Sequence, residues 1–127
     1  DLDPLSRWLA DAGQRILQLL PLNEMATGHN SPYSAMSAMA IDPIYIAVGD
    51  VEDFIANGGD ASLTADDRAG LDIARSAGRV IYEPIRAAKY HALSAAFERF
   101  ARVEWAGGSA RAAAFRDYIS GERWWLD

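Results

Sequence analysis

Arg15-Ile16-Leu17-Gln18-Leu19-Leu20-Pro21-Leu22-Asn23-Glu24 is the stretch on which the fold turns. A short apolar run ends at a proline. A loop rich in polar, glycine and aromatic residues follows, through Ser31-Pro32-Tyr33-Ser34-Ala35-Met36-Ser37 to Ile41-Asp42-Pro43. The pattern predicts a buried parallel strand over residues 16–20 that delivers a functional loop at its carboxyl end. In a (β/α) barrel that end carries the chemistry. Upstream, Asp3 can cap free helical amides and Pro4 suits a first turn. Leu5, Trp8, Leu9 and Ala12 then fall on one helical face, Trp8 as core, and Gly13 ends the helix. Helix, tight turn and apolar strand make the αβ half of a βαβ unit.

The chain has 127 residues, half of them apolar and 24% charged, an ordinary globular composition for one domain at most. A formal charge of −6 argues against a nucleic-acid partner, which needs a basic surface, and against anionic membranes. No apolar segment approaches bilayer-spanning length, and the amino terminus has no signal-peptide pattern. Without cysteine there are no disulfides and no thiolate metal sites. The chain opens near a helix cap and stops on Trp124-Trp125-Leu126-Asp127, an apolar cluster. It is therefore expected to be an excerpt truncated at both ends.

Beyond the strand, loop is predicted over residues 21–30, a short helical turn over 34–40 and a β-prone run over 44–48. One or two helical turns are expected over 51–56, and Asn57-Gly58-Gly59-Asp60 is the clearest break. Thr64-Ala65-Asp66-Asp67 opens a helix in capping-box style that runs to about Ser76, with Leu71 and Ala74 facing inward. The longest helix is predicted over residues 82–103. Its apolar stripe is Ile85, Ala88, Ala92, Leu93, Ala96, Phe97 and Phe100, and Gly107-Gly108 stops it. Ser109 caps a last helix to about Ser120. The fold class is α/β by origin, a fragment of a (β/α)8 TIM-type barrel with a helical insertion, but mainly α by content. Residues 1–48 form the barrel segment and 49–127 the helical insertion.

Several blocks together resemble the amino-terminal part of the amylomaltases, the 4-α-glucanotransferases or disproportionating enzymes. Ala12-Gly13-Gln14 is similar to the family's helix-ending turn, and Gln18-Leu19-Leu20-Pro21-Leu22 to its Trp-Gln-Leu-Leu-Pro-Leu strand. Ser31 to Ser37 is similar to a Ser-Pro-Tyr-Gln-Ser loop, and Asp42 to Ile46 to an Asn-Pro-Leu segment. Lys89 with Ala95-Ala96-Phe97 resembles the centre of a family helix, and Glu122-Arg123-Trp124-Trp125-Leu126-Asp127 an Asn-Ala-Trp-Trp-Leu-Asp stretch. The blocks keep the family's order and cover most of the chain. The chain departs from the family at Asn23 to Asn30, where most members carry a Gly-Pro-Thr-Gly-Tyr-Gly-Asp-like run.

The resemblance implies a cytoplasmic enzyme that moves 1,4-α-glucan segments between maltooligosaccharides by a retaining double displacement. It also implies that the three catalytic carboxylates lie on later barrel strands, so none is in this chain. No metal and no cofactor is expected. The partners are a maltooligosaccharide or glucan and the remainder of the parent barrel, with no nucleic acid and no membrane.

Tyr33 is the first candidate substrate contact, because a tyrosine in such a loop can lay its ring on a sugar face while its hydroxyl hydrogen-bonds. The matching family tyrosine lines the subsite of the sugar attacked. Otherwise the ring only buttresses the loop. Ser31, Asn23 and Asn30 can bind sugar hydroxyls through planar amide or hydroxyl groups. Glu24 and Asp42 invite a paired-carboxylate reading, but nothing fixes them across a substrate, and Asp42 fits better as the group that orders the turn into Pro43. His29 and His91 lack a suitably spaced third metal ligand. Arg86 and Lys89 beside Glu83 are expected to form helix-surface pairs. Trp124 and Trp125 are expected to pack on the barrel. The competing class is a non-catalytic helical module for carbohydrate binding or protein interaction.

Overall fold

The computed structural model describes residues 2–26 and 28–126. Five α-helices occur among them: α1 (Leu2–Asp11), α2 (Glu52–Ala56), α3 (Ala65–Ser76), α4 (Tyr82–Phe100) and α5 (Ala110–Leu126). Short 3-10 turns fill Pro43–Tyr45, Val48–Asp50 and Gly59–Ser62, and a π-helical segment, Ala101–Trp105, extends α4. The mainly α content matches the sequence expectation.

The strand expected over residues 16–20 is not formed. The described residues contain no strand, only two isolated antiparallel bridges, Asn23 with Ile41 and Met25 with Ala35. A strand exists only through a partner, and no described segment pairs with residues 16–20. Ile16 accordingly stands 87% exposed, with Leu17, Leu19 and Leu20 also open to solvent. The barrel origin of this segment rests on the resemblance alone.

Local signals carried through where their partners lie within a turn or two. Gly13 adopts φ 82°, and the amides of Gly13 and Gln14 donate to the carbonyls of Ala10 and Leu9 at 2.9 Å, closing α1 as expected. Gly58 (φ 106°) breaks the chain after α2. Thr64 and Asp67 form a complete capping box: Asp67 N donates to Thr64 Oγ1 at 3.0 Å, and Thr64 N to Asp67 Oδ2 at 3.1 Å. Thr64→Ala is expected to lower stability by about 1 kcal/mol. Urea unfolding will check it, and a change under a few tenths would show the box is redundant.

Other expectations are corrected. Residues 34–40 make no helical turn, because their backbone pairs with the other side of the loop: Ala26 N donates to Ser34 O (3.0 Å) and Met36 N to Glu24 O (2.8 Å). The β-prone run 44–48 instead contributes to two 3-10 turns. The first starts where Asp42 accepts the Ile44 amide and Pro43 presets the backbone. The last helix runs six residues beyond Ser120, to Leu126, with Trp125 Nε1 donating to Glu122 Oε2 at 2.6 Å. Trp8 is 64% exposed and Phe97 58%, so neither is core. Helical periodicity groups residues on a face but does not say whether that face is covered.

The core sits along α4. Ala88, Ala92 and Ala96, spaced four apart, are buried, and α2 and α3 pack against this helix. Small side chains let the backbones approach. Phe54 of α2 fills the space over Ala92 and Ala96, with Val48, Val51 and Leu63 around it. Where α3 passes the start of α4, a Cβ on Gly70 would lie 3.0 Å from Pro84 Cβ, a tight approach that glycine relieves. At the other end, Phe115 of α5 sits edge-on to Phe100 (5.5 Å) and Trp105 (6.0 Å). In the π segment, Ala106 N donates to Ala101 O, five residues back, and the helix stops at Gly108 (φ 66°).

Three aspartates are buried in this core, Asp42, Asp53 and Asp67, and each is bonded from α4. Arg86 reaches Asp42, His91 Nδ1 lies 2.8 Å from Asp67 Oδ1, and Arg99 reaches Asp53. Buried carboxylates survive only when satisfied in this way.

Candidate functional site

Residues 22–42 form one loop with a paired stem. Asp42 N donates to Leu22 O and Glu24 N to Ala40 O, both at 2.9 Å, with the bridge Asn23–Ile41 between them and the bridge Met25–Ala35 further along. The tip turns through Gly28, whose φ of 80° favours glycine. It is tightened by His29 N to Ala26 O (3.0 Å) and Ser34 N to Ser31 O (2.9 Å).

Tyr33 is at that tip, 74% exposed. Its amide donates to Ser31 Oγ at 3.4 Å. Ser31 and Asn30 are exposed beside it, so the structure brings three of the four candidates to one solvent-facing turn. Asn23 is elsewhere. It is half-buried on the stem, and its Nδ2 donates to Ala38 O at 2.9 Å, which leaves its carbonyl oxygen and one amide N–H for another partner.

The stem is anchored by a carboxylate. Asp42 has no exposed surface. Its Oδ1 accepts from Ile44 N (2.9 Å) and Arg86 Nη1 (2.9 Å), and its Oδ2 from Arg86 Nη2 (2.7 Å) and Met25 N (3.3 Å). Burial pushes the Asp42 carboxyl upward. The Arg86 fork and the two amides outweigh that and hold it below the usual carboxylate range. A group so committed is no acid or base, which agrees with its sequence reading as an ordering residue.

Arg86 and Lys89 are corrected. Neither forms a surface pair with Glu83 on the helix. Arg86 makes the bidentate bond to Asp42, and Lys89 Nζ donates to the carbonyl oxygens of Ile44 and Ile46, the latter at 2.7 Å. Burial holds the Lys89 ammonium below the ordinary lysine value, with Asp42 opposing. Sequence reasoning missed both because their partners lie more than forty positions away. The available signal was Asp42 itself, a carboxylate before proline in an apolar setting.

Between loop and α4 lies a cleft of about 480 Å³ lined by Glu24, His29, Glu83, Arg86, Tyr90 and His91. Among the described residues no group of three His, Asp or Glu side chains could hold a metal ion. Trp124 is 69% exposed on α5 and contributes nothing to this loop's core. No helix among the described residues is long and apolar enough to cross a membrane.

Fold and site together define a helix-dominated scaffold that presents a clamped loop with an aromatic and hydroxyl-bearing tip. The chain belongs to the 4-alpha-glucanotransferase family (glycoside hydrolase family 77), whose model matches residues 1–127. It is similar to the 4-alpha-glucanotransferase of Chlamydia pneumoniae, 27% identical over 127 residues that cover 99% of this chain and 22% of that protein. The Chlamydia caviae protein of the same name is 25% identical over 129 residues, with the same two coverages. That of Chlamydia trachomatis serovar D is 35% identical over 48 residues, 38% of this chain and 9% of that protein. The chain spans about a fifth of the length of the first two relatives. No solved structure matches it significantly. The family resemblance read from the ordered blocks is thereby established.

Proposed function

We propose that this chain forms part of the donor-side wall of a cytoplasmic 4-α-glucanotransferase, which transfers 1,4-α-glucan segments between maltooligosaccharides. Residues 1–48 belong to its barrel and 49–127 to a helical insertion. The enzyme works by a retaining double displacement. One carboxylate attacks the sugar and a second alternates as acid and base, both supplied by residues outside this chain. Tyr33 lies against the glucose ring at the reacting end, and Ser31 and Asn30 bond its hydroxyls. Asn23, with one amide N–H committed to the stem, contributes its carbonyl oxygen and its second N–H.

The observation that supports this reading is the Tyr33 ring. It is open to solvent at 74% exposure, on the same exposed turn as Ser31 and Asn30. An aromatic that merely buttressed the loop would be covered by it.

In the full-length enzyme, Tyr33→Ala should lower kcat/KM on maltotriose about tenfold, since a ring contact of roughly 1 kcal/mol or a little more is lost. Tyr33→Phe should retain most of the activity, and the melting temperature should not move. An unchanged kcat/KM for Tyr33→Ala would remove the ring from the site. As the second arm, the 127-residue chain alone should release no glucose from maltotriose. Turnover there would place the carboxylates inside it.

A further inference from the structure

We propose that Arg86 is a positioning residue for the sugar-facing loop, acting through the buried Asp42 carboxylate. The proposal rests on the function proposed above and names what aims the Tyr33 ring.

The geometry is specific. Around the Met25–Ala35 bridge, the stem is closed by Ala26 N to Ser34 O and Met36 N to Glu24 O. The amide of Met25 is not part of that pairing. It turns inward, and Asp42 Oδ2 accepts it at 3.3 Å. Met25 itself is 7% exposed, so this amide has no water to fall back on. The same carboxylate carries the Ile44 amide on its other oxygen. Asp42 thus ties the outgoing side of the stem to the returning side, and Arg86 ties both to α4 with two parallel bonds of 2.9 and 2.7 Å. A planar fork of this kind fixes orientation as well as distance.

Arg86 is 28% exposed at its side chain and Asp42 not at all, so the cation is the cheaper of the two to remove. Without it, a fully buried carboxylate keeps only two neutral amides as hydrogen-bond donors, with the Lys89 ammonium acting on it through charge alone. The low-energy response is for residues 23–42 to swing outward until water reaches Asp42. Tyr33 lies nine positions from Asp42 and is mostly surrounded by solvent. Its aim is set by the stem, and a small tilt at the base becomes a larger displacement at the ring. Ångström-scale misplacement of a positioning group is enough to reduce turnover.

The test uses the full-length enzyme with Arg86→Met, Arg86→Lys, Tyr33→Ala and the double variant Arg86→Met/Tyr33→Ala. Two readouts are taken well below the melting transition: kcat and KM on maltotriose, and amide hydrogen exchange by residue. Arg86→Met should lower kcat/KM about five- to tenfold, and Arg86→Lys should recover part of that. On the Tyr33→Ala background, Arg86→Met should cost under about twofold more, because both changes remove the same contact. Exchange at Met25, Ala26 and Met36 should rise at least tenfold, while Ala92 and Ala96 of α4 stay protected.

Losses that multiply in the double variant, wild-type kinetics for Arg86→Met, or unchanged exchange at the stem would each overturn the proposal. So would exchange rising equally across α4, which marks Arg86 as a general stabiliser. If Arg86→Met does not fold, Arg86→Lys must show the same pattern at smaller amplitude. If Tyr33→Ala alone leaves kcat/KM intact while stem exchange responds to Arg86, the clamp stands and the sugar reading falls.

Discussion

Asp53→Ala is expected to lower the unfolding free energy by about 2–4 kcal/mol, the low side of the cost of breaking a buried charge pair. Asp53 is 3% exposed on α2 and carries two guanidiniums. Arg99 Nη1 of α4 donates to Oδ1 at 2.6 Å, and Arg111 Nη2 of α5 donates to Oδ2 at 2.5 Å. One carboxylate therefore joins three helices. The two arginines share the loss unequally. Arg111 keeps Glu52 at 3.3 Å and Glu104 at 3.6 Å and is 41% exposed, so water and carboxylates still satisfy it. Arg99 is 24% exposed and carries more of the penalty. That partial solvation places the expectation below the full cost of a sealed pair. Asp53→Asn should cost roughly half as much, because its oxygen still accepts from one arginine. Urea unfolding of the three proteins will measure this. A loss under about 1 kcal/mol for Asp53→Ala would mean that the helices hold one another through Phe54 and the alanines alone.

Acid should destabilise the protein steeply, and the same three aspartates set the pH range. Burial acts on Asp42 most strongly and pushes it up, but Arg86 and two amides bring it below the ordinary 3.8. Asp53 is lowered first by the Arg111 hydrogen bond, against burial, and further by Arg99. Asp67 is lowered first by the Thr64 hydroxyl, against burial, and further by His91. In the unfolded chain each would bind its proton near pH 3.8. The folded state resists protonation to lower pH, so the stabilisation is complete above that value and fades as pH falls through the folded values. Each group can contribute up to about 1.4 kcal/mol per pH unit in that window. The melting temperature should be level from pH 7 to 5 and drop sharply between pH 4 and 2. Asp53→Asn should flatten part of the drop. A melting temperature that is level down to pH 2.5 would show that these pairs contribute no net stability.

Sequence legibility divides by distance along the chain. The caps at Gly13 and Thr64 and the stop at Gly108 were legible because each signal and its partner lie within five positions. Residues 16–20 carry a strand signal but form no strand, because apolar β-prone composition describes what a segment can do, and a sheet also needs a neighbour. Trp8 and Phe97 follow the same logic: periodicity put them on a shared face that the described residues leave open. Arg86 and Lys89 were assigned to Glu83 because helix spacing offers only nearby partners, whereas their acceptors are in the loop. Of the candidate site, the exposed tip with Ser31 and Tyr33 was legible from its loop composition. The use of the Asn23 amide within the stem was not. Family membership came from the order of several short blocks, which no single physical signal in the chain would have provided.

The π-wound stretch that follows Phe100 has a geometric consequence. On an ordinary helix of 3.6 residues per turn, side chains five positions apart diverge by about 140°. The wider coil at Ala101–Trp105 reduces that divergence, and Phe100 and Trp105 both meet the single ring of Phe115. The angular phase between the long helix and the last one is therefore set by how many residues the coil holds. A one-residue change in length there would alter the mating of the two helices more than most changes of side chain.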